Sequence, residues 1–491
     1  MVTRQSSDQI PLPIRVLFDV RIPMRDGITL SADVILPKPT GRYPVILIRT
    51  PYLKNQDLTP YQGRETFIRF LASQGYAVVM QDVRGRGDSE GEFQFYWADA
   101  EDGYDSIEWL AEQSWSDGRV GMMGVSYLGA VQWLAAGRKP PHLKCLVSTA
   151  PSGLYMDEIP YGGGAWMMEW ALHWLNKTSG KLEQDYLASY VDMADVNAHR
   201  PLITQDEAFG RRMPLFKKFL ENSTFNDEWR KITLLAEDFS DIDLPVLHVT
   251  GWFDGDQPGA MHYWNHMRQF SPARDRQYLV AGPWDHVQTF FGGATTLGDM
   301  TFGPESVLDH FALHKRFFDH YLKQTVPAFD QPTARIYVTG RNEWREYDQY
   351  PPKAMGEKRL YLHSRGNANT LNGDGRLSWE VPDEEPTDQY DFDPKAPAPS
   401  HFGPPASPSD SFSGTDLRSV ERREDVLVYT TDALDATVEI SGPVSVELYA
   451  ASDGLDTDWI VRILDVQPDG KSVNLGPRAC GILRARYRKG Y

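Results

Sequence analysis

At 491 residues the chain exceeds one ordinary hydrophobic core, and a prior of roughly 150 residues per domain gives about three domains. Fifty basic against 68 acidic residues leave a net charge of −18, so neither a nucleic-acid backbone nor an anionic membrane surface has an electrostatic reason to hold it. A hydrophobic content of 41% excludes wholesale disorder, and 14 tryptophans, costly to leave wet, point to a pocket or a domain interface.

The segment Met1–Val16 is polar and carries two prolines, without the apolar centre of a signal peptide. No apolar run approaches the length of a membrane span, so a cytoplasmic location is expected. Val16–Met24 and Ile28–Leu36, joined by Asp26-Gly27, read as a hairpin. Four short Val-, Ile- and Leu-rich runs come next, as buried parallel strands: Val45–Arg49, Tyr76–Val83, Val120–Gly124 and Leu143–Thr149. Arg64–Gln74 and Ala98–Glu112 are long enough for crossover helices, which implies a mostly parallel sheet covered on both faces. Of the 2 cysteines, Cys145 sits in a strand-like run, and it and Cys480 are expected to be reduced thiols.

The alternation stops at residues 151–240, where aromatic and Met-rich helical stretches include Trp166, Met167, Met168, Trp170 and Trp174. Strands resume at Pro245–Thr250 and Gln277–Ala281, so this block reads as a helical cap inserted between two strands of one sheet. After a helical stretch at Val307–Leu322, further strands are expected at Ala334–Thr339, Lys358–His363, Val426–Thr430, Ala436–Ile440, Val444–Ala450 and Trp459–Val466. Residues 1–150 and 241–330 thus form an α/β core, 151–240 the cap, and 331–491 a sandwich-like or jelly-roll β domain.

Gly124-Val125-Ser126-Tyr127-Leu128-Gly129 follows an apolar strand and precedes the helix-like Ala130–Gly137. That strand–turn–helix context is what a nucleophile elbow requires, although the second glycine stands three residues after the serine, not two. A nucleophilic serine needs a base, and the base an orienting carboxylate. In this sheet order Asp and then His should come later, each just after a strand. Gly251-Trp252-Phe253-Asp254-Gly255-Asp256 and Gly282-Pro283-Trp284-Asp285-His286 stand at those places. Asp254 and His286 are the acid and base, with Asp256 the rival acid; a neutral His base implies activity rising with pH around the ordinary value of about 6.5. His248 lies within a strand and reads as core.

The stretches RTPY (Arg49–Tyr52), DVRGRGDSEG (Asp82–Gly91), GMMGVSYLGAVQ (Gly121–Gln132), GWFDGD (Gly251–Asp256), GPWDH (Gly282–His286) and DTDWIVRILDVQPDG (Asp456–Gly470) together resemble the cocaine-esterase/X-prolyl dipeptidyl-peptidase group of serine hydrolases. That group includes α-amino-acid ester hydrolases, and the glycine spacing around Ser126 is its own variant. The resemblance implies an α/β-hydrolase fold with a helical cap and a C-terminal β jelly roll. It also implies that the Tyr52 hydroxyl and the Tyr127 N–H form the oxyanion hole. By the same resemblance the jelly roll extends further, by at least one more core strand, so the domain is expected to be incomplete at Tyr491.

The expected activity is cleavage of carboxylic esters through an acyl-enzyme, by Ser126, His286 and Asp254, with no metal or organic cofactor. The His262/His266 and His310/His314 pairs lack the adjacent Glu of a metalloprotease helix, and Gly85-Arg86-Gly87 lacks the third glycine of a dinucleotide loop. The expected partner is a small-molecule ester or amide, the oligomeric state being open, and Trp166, Met167 and Trp170 are candidate pocket residues. Two rivals remain. One is amide chemistry on the same site, by a dipeptidyl-peptidase or β-lactam acylase, with Asp157, Glu158 or Glu169 receiving a substrate amine; the other is a binding protein with a vestigial hydrolase core.

Overall fold

Strands rich in β-branched residues and buried on both faces can lie only at the centre of a covered sheet. Tyr43–Thr50 (β3) and Ala77–Asp82 (β4) are such strands, the latter buried at every position. The computed structural model, which describes residues 14–55, 64–183, 190–353, 355–399, 415–476 and 481–491, places them inside a ten-stranded sheet. The other strands are Arg15–Pro23 (β1), Thr29–Leu36 (β2), Ser116–Val125 (β5), Leu143–Thr149 (β6), Val246–Gly251 (β7), Gln277–Gly282 (β8), Ala334–Val338 (β9) and Glu343–Tyr347 (β10).

The order is β1-β2-β4-β3-β5-β6-β7-β8-β9-β10. From β4 to β9 every pairing is parallel, while β1, β2 and β10 run antiparallel to their neighbours. Helices Arg64–Ser73 (α1), Asp99–Ala111 (α2), Tyr127–Gly137 (α3), Gln257–Phe270 (α6) and His310–Tyr321 (α7) accompany the sheet. α3 is buried along almost its whole length, so it can be apolar all round. Parallel order matters for function because it brings the C-terminal ends of β3, β5, β7 and β8 to one edge, where ligands of open α/β sheets bind.

The cap leaves the sheet after β6 and returns at β7, and these two strands pair directly, Leu146 opposite Val246. Its main helices are Met168–Thr178 (α4) and Pro214–Glu221 (α5), and Phe216, Phe219 and Trp229 join the same apolar core as the sheet. Cys145 is a buried free thiol; Cys480 and the residues before Ile14 lie outside the described residues.

Beyond residue 330 the structure differs from the sequence reading in part. The strand expected at Ala334–Thr339 belongs to the core sheet, because Leu279–Ala281 of β8 offer it a parallel edge at Ala334–Ile336. Further on, the β structure consists of short pairs: Tyr361–His363 with Arg376–Ser378, Asp458–Val461 with Gly481–Arg484, and Leu464–Val466 with Ser472–Asn474. Val426–Thr430 contributes isolated bridges to Asn369 and Arg376. The strands expected at Ala436–Ile440 and Val444–Ala450 do not form. Among the described residues they find no neighbouring strand, and Val438, Ile440, Val444 and Val446 remain exposed. No helix among the described residues is long and apolar enough to cross a membrane.

Under the active edge lies a buried ion pair. Arg49, at the end of β3, sits 3.0 Å from Asp99 Oδ1, with both side chains almost wholly enclosed. The Arg49 fork also donates to Gln81 Oε1 at 2.8 Å and to the Asp99 carbonyl at 2.9 Å, while the Tyr127 hydroxyl donates to Asp99. Burial pushes the Asp99 carboxyl up to about 6 against the pull of Arg49. Removing one partner strands the other charge, so Asp99→Ala is expected to cost about 3–5 kcal/mol, read from the urea midpoint followed by Trp fluorescence. A loss below about 1 kcal/mol would mean that water reaches Arg49 and the pair is not a structural anchor.

Candidate active site

Ser126 follows β5 at φ 62° and ψ −126°, a conformation that costs a non-glycine residue about 1–3 kcal/mol and persists only when its surroundings over-determine it. Here they do. The Ser126 N–H donates to the Thr149 carbonyl at 3.0 Å, and Gly129 and Ala130 N–H return to the Ser126 carbonyl at 2.8 and 3.0 Å. A Cβ on Gly124 would lie 2.4 Å from Leu128 Cβ, and one on Gly129 would lie 2.7 Å from the Thr149 carbonyl oxygen. The second glycine is therefore needed where α3 crosses the end of β6, which accounts for the spacing in the motif. As the first residue of α3, Tyr127 presents an N–H without an intrahelical acceptor at the positive end of the helix.

Asp254 and His286 occupy the loops after β7 and β8, and these loops are stitched together. Trp252 N–H donates to the Gly282 carbonyl at 2.9 Å and Phe253 N–H to the Trp284 carbonyl at 3.0 Å. Gly251 permits this crossing, since a Cβ there would sit 2.1 Å from the Trp284 oxygen. The result is a direct contact: His286 Nδ1 lies 2.8 Å from Asp254 Oδ1 and 3.9 Å from Asp256 Oδ2. Asp254 is fully buried, and its Oδ1 also accepts the Asp256 N–H at 2.8 Å. Of the two rival carboxylates, Asp254 is thus the one in hydrogen-bond contact with the imidazole. Burial opposes charge on the imidazole, but Asp254, Asp256 and Asp285 outweigh it and raise His286 to about 9.

Tyr52 follows β3 and is 7% exposed. Its backbone N–H donates to Thr50 Oγ1 at 3.0 Å, its hydroxyl pairs with Ser126, and it receives the Trp174 indole N–H at 3.0 Å. Burial pushes its pKa up, so the phenol keeps its proton. Tyr127 stacks on Tyr96 at 4.3 Å and on Trp174 at 5.9 Å. Of the proposed pocket residues, Trp170 stacks on Trp174 at 5.6 Å and so borders this cluster. Trp166 does not: its faces are taken up by Tyr161, Phe216 and Phe219 within the cap, and Met167 lies over Gly162.

Among the cap carboxylates, Asp157 and Glu169 are exposed, Glu169 accepting from Asn197. Glu158 is 4% exposed; its Oε2 accepts the N–H groups of Gly153 and Leu154 at 2.8 and 3.0 Å, and its Oε1 has no hydrogen-bond partner. Burial and the neighbouring Asp256 hold this carboxyl well above the usual range. Residues that sequence reasoning left unassigned are Trp174, Tyr96 and Arg86. Nothing in the spacing of the cap aromatics marks Trp174, and Arg86 reads from sequence as a turn residue. Among the described residues the group able to share a metal ion is Asp254, Asp256 and His286. The His286 Nδ1 is already committed to Asp254, an arrangement suited to orienting an imidazole.

The comparisons with known proteins agree over nearly the whole chain. Residues 26–288 match the model of the X-Pro dipeptidyl-peptidase (S15) family, and residues 327–491 match that of the X-Pro dipeptidyl-peptidase C-terminal non-catalytic domain. Cocaine esterase of Rhodococcus sp. (strain MB1 Bresler) is 34% identical over 96% of this chain and 84% of its own. An α-amino acid ester hydrolase superposes with a TM-score of 0.80 at 26% identity, over 100% of this chain and 86% of that one. An aminopeptidase from a marine sediment archaeon, Thaumarchaeota archaeon, does so with 0.79 at 26%, over 96% and 83%. With its α/β core and its C-terminal β region both matched, the chain belongs to the X-Pro dipeptidyl-peptidase (S15) family of serine hydrolases.

Proposed function

We propose that this protein hydrolyses carboxylic esters through an acyl-enzyme. The observation that carries the reading is the convergence, at one sheet edge, of a strained Ser126 beside Tyr52 and a buried Asp254 holding His286. Ser126 Oγ attacks the ester carbonyl while His286 Nε2 takes its proton. The carbonyl π pair moves onto oxygen, where the Tyr52 hydroxyl and the Tyr127 N–H receive it. The C–O bond to the alcohol then breaks and His286 returns the proton to the leaving oxygen. Water repeats the sequence on the acyl-enzyme, releasing the acid and restoring Ser126. Asp254 fixes the imidazole tautomer throughout.

A fluorophosphonate probe and an aryl ester test the assignment together. The wild type should label and turn over, and Ser126→Ala should do neither. Tyr52→Phe should lower kcat by about 10²–10³ with little change in KM, since the lost bond matters when negative charge develops. Labelling of a folded Ser126→Ala protein would remove the nucleophile from this position, and an unaltered kcat in Tyr52→Phe would remove the donor.

The base must be neutral to act, and the carboxylates around His286 favour its protonated form. The rising limb of kcat/KM on a non-amino aryl ester is therefore expected above the ordinary 6.5, toward 9. Asp256→Asn deletes one of those carboxylates, so the limb should move to lower pH. Profiles from about pH 5.5 to 10 check this; a wild-type limb at or below about 6.5, or one that Asp256→Asn leaves in place, contradicts it.

A second reading, cleavage of α-amino esters, is favoured by Glu158. A buried carboxyl with one unpartnered oxygen, beside Asp256, fits a substrate ammonium whose arrival supplies the charge that lets it ionise. If so, aminoacyl aryl esters should outpace their des-amino analogues in kcat/KM, and Glu158→Gln should erase the difference by raising KM for the aminoacyl series alone. Equal loss on both series would assign Glu158 to packing.

A further inference from the structure

The oxyanion tyrosine does not stand alone: its hydroxyl is held from the cap. We infer that Trp174 is a positioning residue for Tyr52, so that seating of cap helix α4 on the core completes the oxyanion hole. This rests on the reading of Tyr52 as an oxyanion donor.

A phenol oxygen offers one proton and two lone pairs, whereas an indole N–H is a donor only. With Trp174 Nε1 3.0 Å away and donating, one lone pair of Tyr52 is occupied, and the hydroxyl proton is directed elsewhere. The partner available to it is on the Ser126 side. In this enclosed site a donor into the phenol oxygen also polarises its O–H and strengthens it toward an anion. Tyr52 cannot meet the need by ionising, because burial keeps its proton on.

The indole is itself fixed on three sides. It stacks on Trp170 with 9° between the planes, stacks on Tyr127 with 19°, and meets the Phe95 ring edge-on at 5.4 Å. It therefore touches both residues of the oxyanion hole. Arg86 ties the two carriers together. Its guanidinium is fully buried and donates from Nε to the Pro51 carbonyl at 2.6 Å, one residue before Tyr52. Its Nη1 donates to the Thr178 carbonyl at 2.8 Å and to the Gly180 carbonyl, and its Nη2 to the Lys177 carbonyl at 3.3 Å. These carbonyls belong to the last turn of α4 and the residues just beyond it, the negative end of the helix, whose acceptors need partners. One rigid fork thus sets the distance between the Tyr52 loop and the helix bearing Trp174.

The test is a double-mutant cycle on a non-amino aryl ester. Trp174→Phe keeps a ring in the stack and deletes the N–H. In the wild-type background it should lower kcat about five- to tenfold, as expected for one lost hydrogen bond, with KM changed less than about twofold. In the Tyr52→Phe background, where there is no hydroxyl to position, the same change should cost less than about twofold. Should Trp174→Phe fold poorly, 3-benzothienylalanine incorporated at position 174 keeps the bicycle and removes the same N–H. Equal losses in the two backgrounds, or none in the wild type, overturn the inference. If Tyr52→Phe itself leaves kcat unchanged, the oxyanion reading has failed first, and the cycle distinguishes the two failures.

Discussion

Two chain segments lying closer together than a side chain permits is the constraint on which the site depends. Gly124 and Gly129 let α3 press onto the ends of β5 and β6, and that approach forces Ser126 into its left-handed turn. Gly251 does the same where the loop after β7 crosses the loop after β8. Each contact is made to backbone or Cβ atoms, which have no rotamer with which to retreat. The strain at Ser126 is offset by hydrogen bonds to a neighbouring strand and by the burial of α3. The positions of the serine, the carboxylate and the imidazole are therefore backbone properties, set by the sheet and only finished by side chains.

Charge is arranged by crowding rather than by pairing. Asp254, Asp256 and Asp285 surround one imidazole, and Glu158 sits behind Asp256. Like charges this close in an enclosed site cannot all ionise freely, so their titrations belong to the group. The resolution visible here is that His286 is drawn toward the charged form while burial and Asp256 push the Glu158 carboxyl well above the usual range. Such a site has a surplus of negative character that a cationic substrate group would relieve, and it makes the imidazole a stronger base than an isolated one. In exchange, more alkaline conditions are needed to free it.

Much of this was legible in the sequence, because it is local. Strand–turn–helix periodicity pointed to Ser126, and the order Ser, Asp, His after successive strands pointed to Asp254 and His286, and these last two lie in hydrogen-bond contact with each other. The preference for Asp254 over Asp256 rested on order along the chain, and the coordinates add that these two residues of one loop lie at 2.8 and 3.9 Å from the same Nδ1. Ala334–Val338 was not legible as a core strand for a related reason. A β-strand carries no mark of which sheet it will join, and this one pairs with β8 because that edge is free, not because of its composition. Trp174 and Arg86 were illegible as functional residues: their meaning arises from three segments, near residues 52, 86 and 174, that no spacing rule connects.

The C-terminal β region reaches the site through the cap. Arg484 N–H donates to the Gly163 carbonyl at 2.8 Å, and the Tyr487 hydroxyl donates to the Ser223 carbonyl. A Cβ on Gly163 would sit 1.7 Å from the Ile482 oxygen, so here too backbone meets backbone. The cap is thus gripped on one side by Arg86 and the core and on the other by residues 482–487. These contacts bear on the proposed chemistry through the cap, since the helix that carries Trp174 belongs to the segment they hold. Where an oxyanion donor is a side chain, as proposed for Tyr52, and not a second backbone N–H, its position has to be maintained by the tertiary structure, because a tyrosine hydroxyl at the end of two rotatable bonds has no other source of rigidity.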